Sequence, residues 1–400
     1  MNWLKTIKHF IIFILTAVLM CSCLEPFEAD VSASQLDVLI IDGYINVGPG
    51  ETRITLSKVS GLDQADKVRY EEDAEVFIQN NSGEGFLLNE SEDGLYTSGE
   101  LNLPADKQYR LYIILSNGKE FHSELQSPKI TPVIDSIHWE FRPDLLYIYA
   151  KAHDATGATR YYGWKYREDW QVKSPFKADL MYTGFGRIEE RPDPWMLPMH
   201  NCWKKLESKQ IVFSSTTLQQ DDYINFPVVT IPHNSEKTAV KYSVIIEQHT
   251  ITEDEFNYLT LMNKNSTQTG SFFDPMPSQL FGNIKRIDNP KETVIGYVGV
   301  YTTQKDTLFI LKAELPADNG FQINCPTIEF TKTIENCDTY LGGNPPPYIP
   351  YQQYSPSGDP ADLIVVAMVT KDCMDCRSNA TGPRPDFWYP NGAPDDEDEP

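Results

Sequence analysis

The densest local chemistry in this chain of 400 residues is Cys373-Met374-Asp375-Cys376, near the C-terminal end. Two thiols at this spacing can form a redox couple when a βαβ setting and a helix N-terminus lower the pKa of one of them. Here an apolar run, Leu363–Val369, precedes the pair, and Arg377, Gly382, Pro383 and Pro385 follow it, so no helix starts cleanly there. The pair could instead supply half of a zinc site, with Cys325 and Cys337 as the other half. The gap of eleven residues between those two matches no standard zinc knuckle. The third chemistry is disulfide bridging, and the candidates are Cys202, Cys325, Cys337, Cys373 and Cys376. An odd count leaves one thiol over, and the connectivity stays open. Bridging takes precedence if the chain is exported to an oxidising compartment.

Other reactive side chains form no recognisable frame. The seven histidines are scattered. His249 begins His-Thr-Ile-Thr-Glu rather than a metalloprotease H-E-x-x-H, and His200 near Cys202 has no local Cys-His-Asn frame. A nucleophile elbow, a P-loop and an EF-hand loop are all missing. Asp and Glu number 57, so a carboxylate pair for glycoside hydrolysis can be drawn anywhere, and the separation that defines one is not readable from sequence. The expectation is a protein that is not an enzyme, with no catalytic residue, metal or cofactor assigned. Tyr161-Tyr162-Gly163-Trp164, Trp195 and Tyr348–Tyr354 could bind sugars or peptides, but aromatics also dominate β cores.

The N-terminal end points to export. Lys5 and Lys8 open the chain, Phe10 to Met20 is apolar except for Thr16, and Met20-Cys21-Ser22-Cys23 follows. A basic start, a short apolar run and small residues before a cut make a secretory signal. The run is too short to span a bilayer, which takes roughly 20 residues. A cysteine at the cut resembles the lipobox of bacterial lipoproteins, where the thiol takes a diacylglycerol. Cys23 fits better than Cys21, because small Ser22 precedes it. Residues 1–23 are therefore expected to be a lipoprotein signal peptide and Cys23 the lipidated residue.

The chain carries 34 Lys and Arg against 57 Asp and Glu, a net charge of −23. Such a surface disfavours nucleic acid, and it disfavours broad contact with anionic lipid, so attachment should rest on the anchor. The C-terminal run Asp395-Asp396-Glu397-Asp398-Glu399-Pro400 is a solvated acidic tail and argues against a membrane barrel.

The elements that position these residues read as mainly β. After a tether over 24–35, residues 36–130 alternate with period two: Ala74, Val76 and Ile78 in one strand, Tyr109, Leu111 and Ile113 in another. Short strands at regular spacing suggest an immunoglobulin- or fibronectin-like β-sandwich. A second sandwich is expected over 131–390, with the acidic tail at 391–400. It should hold long loops at Ser174–Lys209 and Asn344–Pro360, a closing hairpin of Val294–Tyr301 with Thr307–Leu311, and a buried strand at Leu363–Val369. One helix is expected at 252–265. Thr252 and Glu255 have capping-box spacing, Ile251 and Phe256 staple positions, and Phe256, Leu259 and Met262 an apolar face.

Three blocks carry a resemblance. They are Phe272–Ile284 with Val294–Val300; Cys373–Arg377 with Arg384-Pro385-Asp386-Phe387-Trp388; and Cys202-Trp203. Together they resemble Bacteroidota outer-membrane lipoproteins classed as domain of unknown function 4249. The family often ends in Gly-Gly-Thr after its Cys-Arg block, where this chain has Ser378-Asn379-Ala380-Thr381-Gly382. The resemblance implies a lipid anchor in the outer membrane, a TonB-dependent receptor as partner, and no catalytic residue to carry over. Glu25, Glu28 and Asp30 resemble an acidic signal for display on the cell surface. Phe272, Phe273 and Phe281 are the expected partner contacts, since aromatics concentrate at interface centres. Arg377 and Trp388 could clamp the terminal segment, by a cation–π contact or by packing. The function expected is a binding or assembly subunit for that receptor. The alternatives are a free-standing glycan- or peptide-binding lipoprotein and a hydrolase with an unmarked carboxylate site.

Overall fold

Alternating apolar residues build the first core. Val76 and Ile78 of Glu75–Asn80, and Tyr109, Leu111 and Ile113 of Tyr109–Ile114, all turn inward and are 0–1% exposed. A computed structural model describes residues 38–58, 68–192, 199–267, 282–316, 321–344, 346–359, 363–380 and 382–388. Cys23, Trp195, Phe272, Phe273, Phe281 and the acidic tail lie outside the described residues.

The strands of residues 39–123 form one large curled sheet. Its order runs Glu120–Ser123, Tyr109–Ile114, Glu75–Asn80, Gly85–Glu92, Leu95–Thr97, Arg53–Lys58, Leu39–Asn46. Three later strands complete it. Ile284–Arg286 pairs with Glu120–Ser123, while Val294–Ile295 and Val300–Tyr301 lie parallel to Leu39–Asn46. Ile284, Val294, Val298 and Val300 belong to the first core. The chain thus returns from the second body to close the first.

This return corrects the expected hairpin of Val294–Tyr301 with Thr307–Leu311. Thr303–Leu311 is one strand paired along its length with Lys241–Thr250. Gln304-Lys305-Asp306 holds no Gly or Pro, and all three residues pair in the ladder with Ile246, Glu247 and Gln248. The crossing at Gly296 is sterically demanding: φ is +142°, and a Cβ there would stand 2.3 Å from the Ile41 carbonyl oxygen. A Cβ on Gly282 would come closer still to the Gly296 carbonyl oxygen, so this pair of glycines is required by packing.

The second body is a sandwich. Tyr223–Pro232, Leu145–His153 and Ile134–Arg142 form one sheet. The facing sheet has the order Asn201–Glu207, Tyr161–Lys173, Lys241–Thr250, Thr303–Leu311, with Val212–Ser215 also on Tyr161–Lys173. Leu146 and Ile148 of the first sheet and Tyr162, Trp164, Val244 and Ile246 of the second share one core. The helix α1 spans Glu253–Thr267. Thr252 caps it by accepting from the Glu255 N–H at 3.1 Å.

A C-terminal lobe stands where long loops were expected. Leu180–Gly184 and Arg187–Glu190 form a hairpin inside Ser174–Lys209, and Asn201–Glu207 joins the second sandwich. Tyr348–Tyr354 is an edge strand on Val365–Thr370, with Ile328–Thr331 on the other side. Prolines hid this strand from the sequence, yet Pro350 sits at a bulge, where a missing N–H costs the ladder nothing. A second helix, α2, spans Ile334–Leu341 and is capped by Thr333, which accepts from the Asn336 N–H. The apolar run at Leu363–Val369 becomes Val365–Thr370, the central strand of this small sheet.

Candidate functional site

Two regions gather polar side chains in a β framework. The first is the junction between the bodies. Leu39–Asn46 brings Tyr44, Lys241–Thr250 brings Glu247 and His249, Val300–Tyr301 brings Tyr301, and the first turn of α1 brings Glu255. The Tyr44 ring stacks on Tyr301 at 4.7 Å and on His249 at 5.8 Å, and His249 stacks on Tyr301 at 4.6 Å. The Tyr44 hydroxyl donates to Glu247, whose carboxylate also pairs with Lys305 at 2.8 Å. Outside Tyr44 lies a cleft of about 530 Å³, walled by Arg53 from the first body and Lys165, Glu247 and Lys305 from the second.

The buried side of this cluster is neutral. Among the described residues neither ring nitrogen of His249 has a hydrogen-bond partner, and burial pushes its pKa down to about 3. Gly163 makes room for the ring, since a Cβ there would stand 2.4 Å from Nε2. Burial pushes Glu255 up to about 8, against the Thr252 backbone N–H that favours its anion. Its Oε2 is also without a hydrogen-bond partner. Glu247 goes the other way. Burial raises it, but bonds from Lys305 and Tyr44 outweigh burial and leave it lowered. Glu247, His249 and Glu255 share one stretch of sequence, but only the packing of three distant segments brings Tyr44 and Tyr301 to them.

The second region is the cysteine-bearing turn. Cys376 bonds to Cys202 and Cys373 to Cys325, while Cys337 is the free, buried thiol. Each cysteine of the C-x-x-C pair is therefore joined to a distant segment, which leaves no adjacent dithiol and no cysteine set for zinc. Among the described residues no group of three or more His, Cys, Asp or Glu could hold a metal ion. Both cysteines lie in short 3₁₀ turns with Asp375 between them.

Arg377 and Trp388 do not form a cation–π pair. Arg377 makes a forked pair with Asp375, at 2.7 and 2.8 Å. The cation over Trp388 is Lys241, 5.3 Å from the ring centre, and its ammonium donates to the Trp388 carbonyl at 3.3 Å. Phe309 meets the same indole edge-on. The other aromatic candidates divide between core and lobe. Tyr162 and Trp164 are fully buried in the second core, and Tyr348–Tyr354 is the edge strand of the lobe. His200 Nδ1 lies 2.9 Å from Ser174 Oγ, and the same hydroxyl lies 2.8 Å from the Phe176 carbonyl oxygen, which it can donate to. Burial, with Lys173 and Lys177, lowers the His200 pKa and keeps the ring neutral.

Fold and site together define a mainly β chain of two bodies and a disulfide-pinned C-terminal lobe. A family model, domain of unknown function DUF4249, matches residues 24–307, and the chain belongs to that family. No curated protein matches the chain. Among solved structures, a DUF3823 family protein from Parabacteroides merdae is similar at 9% identity, covering 53% of this chain and 89% of its own, with a TM-score of 0.14. A protein from Bacteroides uniformis described as a "putative carbohydrate binding protein" is similar at 10% identity, covering 55% and 91%, with a TM-score of 0.13. Likeness at this level carries no argument about ligand or activity.

Proposed function

We propose that this chain is a lipid-anchored outer-membrane protein that serves as a binding or assembly subunit for a TonB-dependent receptor. The observation that carries the exported, anchored part of the proposal is the pairing of Cys23, at the end of a short apolar run, with two disulfides downstream, while the receptor role rests on the family resemblance. Disulfides belong to oxidising compartments, and a single acyl-bearing cysteine at the new N-terminus is how an exported chain stays on a membrane. The acidic surface fits attachment through lipid rather than through charge. Glu25, Glu28 and Asp30 support display on the cell surface, and Phe272, Phe273 and Phe281 remain the proposed receptor contacts. The junction cleft favours the second reading, a free-standing binding lipoprotein, because it is walled by both bodies and needs no receptor to complete it.

Metabolic labelling with palmitate tests the anchor. The wild-type chain is expected to take the label and fractionate with outer membrane, and Cys23→Ala to lose both. Label retained in Cys23→Ala but lost in Cys21→Ala would move the anchor to Cys21. Label retained in both single variants and in the double variant would remove the anchor from the account.

A further inference from the structure

We propose that the pocket beside the Cys373–Cys376 turn binds a ligand carrying a carboxylate on an apolar body. The pocket measures about 510 Å³ and lies between the Leu180–Gly184/Arg187–Glu190 hairpin, the end of α2 and the turn holding Asp375. Its charged lining is Arg191, Lys371, Arg377 and Asp375. Three cations thus face one carboxylate, in a chain whose net charge is −23. The excess is local and opposite in sign to the rest of the molecule, so the pocket should attract anions that the surrounding surface repels.

Two of the three cations are held in place. Asp375 is 2% exposed and receives the Nε and Nη2 groups of Arg377 at 2.7 and 2.8 Å. That fork fixes the guanidinium plane and leaves Nη1 outside the pair. Arg191 is fixed from behind, with Nε donating to the Ala178 carbonyl at 2.9 Å and Nη2 to the Leu180 carbonyl at 3.4 Å. Both of those acceptors are neutral. Burial lowers the Arg191 pKa, while Asp375 raises it and Arg377 lowers it, so the two guanidinium groups share one electrostatic neighbourhood. The turn cannot drift, because Cys373 and Cys376 are bonded to Cys325 and Cys202. Donors fixed before a ligand arrives lose little freedom on binding.

The uncharged wall selects the body of the ligand. Met181, Leu341, Tyr348 and Ile349 line it, so a bare, strongly hydrated anion would leave that wall unused. The C-terminal end of α2 favours one nearby cation on its own account, but three exceed what a helix end needs. A planar carboxylate matches the guanidinium geometry. Its source can be a peptide C-terminus or a fatty acid, which share this chemistry. The inference stands apart from the membrane reading and does not depend on it.

Calorimetric titration of the full chain tests it. The probes are acetyl-leucyl-phenylalanine and its C-terminal amide, and decanoate and its amide. At least one acid is expected to bind about tenfold or more tightly than its amide, the loss expected for one charge-assisted bond. Binding by the peptide acid alone assigns a peptide source, and binding by decanoate alone a fatty-acid source. Lys371→Gln, at an exposed position, should weaken the acid several-fold and leave the amide unchanged. Arg377→Lys keeps a cation beside Asp375 but loses the fork, and should weaken the acid further. If Arg377→Lys proves unfolded by circular dichroism, Lys371→Gln decides alone. Equal affinity for acid and amide overturns the proposal. So does acid binding unchanged in the folded variants, or the absence of binding by either acid at millimolar concentration.

Discussion

Glu255 at the junction and Asp375 in the C-terminal lobe are buried to nearly the same degree, 3% and 2% exposed, yet their carboxyls are driven in opposite directions. Burial raises Glu255 to about 8, opposed mainly by one backbone N–H from Thr252. Burial also raises Asp375, but the side-chain bonds, charge and backbone N–H of Arg377 together overcome it and leave the pKa lowered. What a buried carboxyl does is thus set by its partner and not by burial alone. The two regions differ covalently as well. Among the described residues both disulfides pin the lobe, and the junction is held by stacked rings and hydrogen bonds.

The largest effect should come from the covalent difference. Replacing Cys202 and Cys376 by Ala opens a bridge between residues separated by 174 positions. Loss of a native bridge typically costs about 2–5 kcal/mol, with the upper end for long loops. Hydrogen exchange should show the loss in the lobe and the adjoining second sandwich, with the first core protected as before. Equal loss of protection in the first core would show that the bodies unfold as one unit.

The pH response of the junction should come next. Folded Glu255 keeps its proton to about 8, while the unfolded chain releases it near 4.5, so this group's contribution falls as pH rises through that window and is level above it. His249 has the opposite sign. The unfolded ring binds a proton below 6.5 and the folded ring only near 3, so stability falls as pH drops between those values. Of these two groups only Glu255 contributes a slope between pH 6.5 and 8. Glu255→Gln should flatten it and add on the order of 3 kcal/mol at pH 8 relative to wild type, a discounted form of the pKa shift. Denaturant midpoints measured from pH 5 to 9 check this. A wild-type slope retained in Glu255→Gln would mean that another group titrates there.

The smallest effect is expected at the rim of the cleft. Lys305 is 60% exposed in its pair with Glu247, so Lys305→Ala should change stability by less than about 1 kcal/mol. A larger loss would show that Lys305 holds Glu247, and through it Tyr44, in place.

Much of the framework was legible because strand alternation is local. Val76 and Ile78, or Tyr109, Leu111 and Ile113, announce their buried face within six residues. Thr252 and Glu255 likewise announced α1 through capping-box spacing. The partner of a strand is not local. Val294 and Val300 look apolar in any pairing, and nothing in their own window says that they lie beside Leu39–Asn46. Pro350 hid a strand because its tolerated place at a bulge depends on the neighbouring register. The junction cluster joins Tyr44, Glu247, His249, Glu255 and Tyr301 through tertiary contacts only. The cysteines were recognisable by type and number, but not the pairing that separates Cys373 from Cys376.

The most direct test of the proposed role is affinity purification of the tagged chain from detergent-solubilised native outer membrane. The account predicts that a TonB-dependent receptor co-purifies in near-equal amount. It further predicts that Ala at Phe272, Phe273 or Phe281 reduces that receptor without lowering the melting temperature. Recovery of the lipid-bearing chain with no receptor, from membranes that contain one, would contradict the subunit role and leave a free-standing binding lipoprotein.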